Sequence, residues 1–162
     1  GAPLEHRVTF ESVELLDPEG RATAVHLERN PITVRVVLRC HQRIDEELEI
    51  FSRARTLDDT WVFAALGGRH HVTLERGLWA TEFTMEPNPL RPGSYQLEFF
   101  CLTRIAQDYV PAAITFRIET NQLPTDDPRY AQGSEYGLVR VSYPWTPLAP
   151  ATDAGAGLPD AP

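Results

Sequence analysis

Apolar residues recur in this chain at every second position, in short runs separated by turn signals, and this period of two constrains the fold more than any other feature. In "ITVRVVLRC" (32–40), Ile32, Val34, Val36, Leu38 and Cys40 share one face, with Arg35 and Arg39 on the other. "HRVTFESVELLD" (6–17) reads as a strand ending in the turn "DPEG", and "ELEIFSRART" (47–56) buries Leu48 and Ile50 while turning Phe51, Arg53 and Arg55 outward. "WVFAAL" (61–66) is short and is expected to stop at Gly67-Gly68; "GLWATEFTME" (77–86) groups Trp79, Phe83 and Met85. Further runs are 95–104, "PAAITFRIE" (111–119) and "YGLVRVSYPW" (136–145), the last with Val139, Val141 and Tyr143 on one side. Helical periodicity is nearly absent. A single open sheet could not cover so much apolar surface, so about eight strands predict an all-β, two-layer antiparallel β-sandwich of immunoglobulin-like or jelly-roll type.

The run after "NPLRPGS" breaks the simple pattern. Tyr95, Leu97, Phe99 and Cys101 alternate inward, yet the other side carries Phe100 and Leu102 among Gln96, Glu98 and Arg104. If 47–56 lies beside 95–104, one outer face holds Phe51, Arg53, Arg55, Gln96, Glu98, Phe100, Leu102 and Arg104. That mixture suits sugar: aromatic rings cover the C–H side of a pyranose while amides, carboxylates and guanidinium groups pair with its hydroxyls. The competing reading is a face covered by a loop or a second subunit. Trp61 and Trp79 are expected in the core rather than as sugar platforms.

With 162 residues the chain suits one domain, here 1–145. Within it, 120–135 ("TNQLPTDDPRYAQGSE") is a polar connector, longer than compact sandwiches usually carry, and 136–145 is the final strand. The Pro/Ala/Gly-rich stretch 146–162 reads as a flexible tail.

Several function classes are excluded. A net charge of −8 opposes nucleic acid and anionic membrane surfaces. All 15 basic residues are arginine, so neither a phosphate-binding loop ending in Gly-Lys-Ser/Thr nor lysine catalysis is available. His70 and His71 are neighbours on a strand, face opposite ways and lack a third ligand at useful spacing. Glu46, Glu47 and Glu49 read as a solvated strand edge. No catalytic residue, metal or cofactor is expected. Cys40 and Cys101 both continue inward faces. They allow an immunoglobulin-type inter-sheet disulfide or two reduced core thiols; the placing of Trp61 and Tyr95 disfavours the first.

The opening "VTFESVELLDPEG", the strand entry "LRPGSYQLEFFCL" and the ending "GLVRVSYPW" after a polar connector resemble, in order and spacing, the C-terminal domain of Wzt proteins. These are nucleotide-binding subunits of bacterial ABC transporters that export O-antigen polysaccharides. The resemblance implies a non-catalytic cytoplasmic domain, peripheral to the inner membrane through the transporter, that binds the polysaccharide for an attached ATPase domain and a membrane subunit. It also implies a homodimer whose last strand crosses to the partner, with Leu138, Val139, Val141, Tyr143 and Trp145 at the contact. The alternative is an immunoglobulin-like interaction or spacer domain of a secreted multidomain protein.

Overall fold

The computed structural model describes residues 2–103, 108–120 and 146–150. Among these residues a single helical turn, α1 (Leu4–Arg7), precedes eight strands: β1 (Val8–Leu16), β2 (Val25–Leu27), β3 (Ile32–Cys40), β4 (Ile44–Thr56), β5 (Trp61–Leu74), β6 (Gly77–Met85), β7 (Gly93–Leu102) and β8 (Tyr109–Glu119). They form a β-sandwich with one layer ordered β1-β3-β6 and the other β2-β8-β7-β4-β5. Pairing is antiparallel except between β2 and β8, which run parallel.

The inward rows are those the alternation gives. Ile32, Val34, Val36, Leu38 and Cys40 of β3 face Tyr95, Leu97, Phe99 and Cys101 of β7, all buried. Each fully buried large side chain contributes roughly 1.5–3 kcal/mol of transfer free energy, and these two rows are the centre of the core. Both cysteines are buried free thiols. The turn before β7 is held by side chains. Asn88 donates to the carbonyls of Leu27 (3.1 Å) and Asn30 (3.0 Å) and accepts from the Leu90 amide, while the Tyr95 hydroxyl donates to the Arg91 carbonyl at 2.6 Å.

Two local expectations need correction, and one strand was not expected. The strand at 61 does not stop at Gly67-Gly68 but continues to Leu74, because the pair forms a bulge opposite Ile50. The β4–β5 register shifts between Glu49 and Phe51. A Cβ on Gly67 would collide with the Ile50 carbonyl oxygen, and Gly68 has φ +74°. Glycine here permits the strand rather than ending it. β2 went unpredicted; three residues are too few for a period to show. Its central residue, His26, is only 3 % exposed. Residues 6–7 belong to α1, so the first strand starts at Val8. The expected final strand (136–145) and its connector, apart from Thr120, lie outside the described residues. Residues 146–150 are exposed and without regular structure.

Among the described residues β5 and β6 are edge strands, one in each layer. Among the described residues the sandwich is open between their edges. A gap of about 530 Å³ enters between the layers, lined by Val34, Val36, Leu38, Leu48, Phe83 and Trp79 among others. Trp79 shares the inward face through its pairing with Leu38 but sits at the mouth, 41 % exposed, donating its indole N–H to the Glu75 carbonyl at 2.8 Å. The expectation of a core position for Trp79 is met in direction and not in burial.

Candidate functional site

The outer face of the five-stranded layer is fixed by the pairing of β4 with β7. Phe51 lies opposite Phe100, Arg53 opposite Glu98 and Arg55 opposite Gln96, and directly paired residues project from the same face. Six of the eight side chains singled out from the sequence therefore meet on one surface. Leu102 shares the face by register, between Glu49 and Tyr109, but is only 8 % exposed and offers a ligand no open surface. Arg104 lies outside the described residues, as do Leu138, Val139, Val141, Tyr143 and Trp145.

The contacts run diagonally across the sheet. The Arg53 guanidinium carbon lies 4.3 Å from the centre of the Trp61 ring and 4.9 Å from that of Phe100. Phe100 in turn stacks on Phe51, with centroids 4.9 Å apart and planes 18° off parallel, and meets Tyr109 tilted at 5.7 Å. Trp61, Arg53, Phe100 and Tyr109 sit on β5, β4, β7 and β8, each one strand over and two residues along from the last. Diagonal neighbours of this kind are within reach of aromatic and long side chains.

Carboxylates and amides orient the arginines. Glu98 receives Arg53 Nε at 2.8 Å and lies 3.5 Å from Arg55 Nε. Arg55 Nε donates to Gln96 Oε1 at 2.9 Å, and its guanidinium also pairs with Asp59. Two positive groups are thus matched by two negative ones. Exposed ion pairs contribute at most about 1 kcal/mol to stability; their effect here is to fix where the guanidinium groups point.

Trp61 and Tyr109 are the most open rings of the ridge, 52 % and 46 % exposed. Trp61 corrects an expectation. Alternation along β5 puts it with Phe63 in the core, but a second register shift, between Ala54 and Arg55, sets it opposite Arg55 on the outer face. Nothing local in the sequence signals that shift. Phe51 and Phe100, by contrast, spend their ring faces on each other and on their neighbours.

The other clusters do not converge. His71 contacts Asp45 at 2.7 Å, whereas His70 contacts the Gly67 carbonyl at 2.9 Å. Glu46 pairs with Arg7 and Glu49 with Arg69. Among the described residues no group of three His, Cys, Asp or Glu side chains is placed to hold a metal ion, and no helix is long and apolar enough to cross a membrane.

No family model and no curated protein matches the chain. A beta-glucosidase from Listeria innocua, solved in complex with gluconolactone, aligns with 68% of this chain and 15% of its own at 12% identity. Its TM-score of 0.41 is too low to carry an argument. The crystal structure of the C-terminal domain of Wzt aligns with 86% of this chain and 83% of its own, at 13% identity and a TM-score of 0.65. The chain has the fold of that domain.

Proposed function

We propose that this chain is a non-catalytic carbohydrate-binding domain that recognises an O-antigen-like cell-surface polysaccharide for export by an ABC transporter. The observation that carries the reading is the ridge of exposed rings and oriented guanidinium, amide and carboxylate groups on one open sheet face. Apolar ring surface beside fixed polar groups is what a sugar, apolar on its C–H side and polar at its hydroxyls, requires. The shared fold and the resemblance of the three sequence motifs support the transporter setting: an ATPase domain and a membrane subunit as partners, on the cytoplasmic side of the inner membrane. Titration calorimetry of the 162-residue protein against O-polysaccharide from the source cells is the direct test. Saturable binding is expected; no heat of binding with any such polymer defeats the reading.

A homodimer that exchanges residues 136–145 belongs to the same proposal. The apolar gap between the β5 and β6 edges calls for a cover, and a segment with Val139, Val141 and Tyr143 on one side has the pattern to supply it. Exchanging equivalent contacts between two copies needs little new interaction energy.

A further inference from the structure

We infer that the diagonal from Trp61 to Tyr109 is the track of a linear glycan without net charge, held at its two ends by those rings, and that Glu98 keeps the track neutral. The inference rests on the carbohydrate reading and adds to it a path, a length and a charge class. Successive centres along the diagonal lie 4.3, 4.9 and 5.7 Å apart, so the contacts from the Trp61 ring to the Tyr109 ring span at most about 15 Å. That exceeds any single sugar ring, and only several consecutive sugars reach both ends.

The interior of the track differs from its ends. Phe100 is packed by Phe51, Tyr109 and Arg53, and Arg53 itself lies between two rings. The middle therefore offers ring edges and guanidinium N–H groups to hydroxyls, while the ends offer open ring surface for stacking. Charge narrows the ligand further. Arg53 and Arg55 are matched by Glu98 and Asp59, and the chain as a whole carries −8. Among the described residues a polyanion finds no uncompensated cation on the ridge, and the net charge of the chain repels it. Glu98 is a positioning residue, since it touches both guanidinium groups and sets the charge.

The test screens the 162-residue protein on an array of neutral and acidic bacterial polysaccharides, then titrates graded fragments of the best binder. Neutral polymers should bind, with affinity rising with fragment length until about 15 Å is spanned and then levelling. Trp61→Ala and Tyr109→Ala should each weaken polymer binding about tenfold at unchanged thermal stability, with Trp61→Phe restoring most of it. Glu98→Gln should acquire salt-sensitive binding of polygalacturonate that the parent lacks. Polymer binding indifferent to both ring deletions, a preference for acidic polymers, or a change of oligomeric mass on Trp61→Ala (a second copy seated on the ridge) overturns the track. If no polysaccharide on the array binds, the carbohydrate reading itself falls and the track with it.

Discussion

Phe51 and Phe100 stack across the β4–β7 pair with 4.9 Å between ring centroids, each occupying a face that a ligand would otherwise use. The strand that looked apolar on both sides has its second apolar side buried mainly against its own neighbours, with Tyr109 and Trp61 left as the open surface.

The stack should appear as an energetic coupling. In a double-mutant cycle of Phe51→Ala and Phe100→Ala, followed by urea denaturation, the interaction term should be about 0.5–1.5 kcal/mol. Strictly additive losses would mean that the rings do not act as a pair.

Gly67→Ala should cost about 2 kcal/mol or more, because the added carbon meets backbone rather than a movable side chain. Gly20→Ala is the comparison: its φ is +80° but nothing lies within 4 Å, so only left-handed strain of about 1–2 kcal/mol applies. Equal melting temperatures for Gly67→Ala and the parent would contradict the bulge.

Thiol reactivity distinguishes this interior from a disulfide-bridged one. Burial, with Cys40 nearby, pushes the Cys101 thiol up to about 12, and burial raises that of Cys40 as well. Unreduced protein should show two thiols to Ellman's reagent in denaturant and almost none when folded at pH 8. Fewer than two in denaturant would favour the secreted, immunoglobulin-like alternative.

Acid should weaken the fold partly through His26. Burial lowers its pKa, outweighing the opposing effects of the Thr23 carbonyl, 2.8 Å from Nε2, and the Asp17 charge. The unfolded chain therefore binds a proton near pH 6.5 that the folded chain refuses. Stability should fall as pH drops below about 6.5, until the depressed folded value is passed. His26→Gln should flatten that part of the stability–pH curve; an unchanged slope would assign the acid loss to other groups.

The exchanged dimer predicts twice 18.2 kDa in light scattering. Truncation before Tyr136 should reduce stability as well as pairing. A folded, soluble monomer after that truncation removes the exchange.

How much of this was legible in the sequence depended on the range of the interactions involved. Alternation along β3 and β7 is local, so the inward rows and the outward positions of Arg53, Glu98 and Phe100 could be read from single strands. Trp61 could not, because its face is decided by a register shift against β4. Gly67-Gly68 is ambiguous in sequence for a related reason: glycine serves a turn and a bulge equally well, and only the carbonyl of Ile50, seventeen residues earlier, decides between them. β2 is placed by parallel pairing with the distant β8, and a three-residue strand carries no periodic trace of its own.

Trp79 at the mouth of the inter-layer gap and Trp61 on the ridge look onto different surfaces of the molecule. Each indole is a natural optical reporter for its own surroundings. With the other tryptophans replaced by phenylalanine, emission from Trp79 would shift to the blue when the gap is sealed, while emission from Trp61 would respond to whatever settles on the ridge. Assembly and ligand occupancy can thereby be followed separately, by wavelength alone, without an added dye.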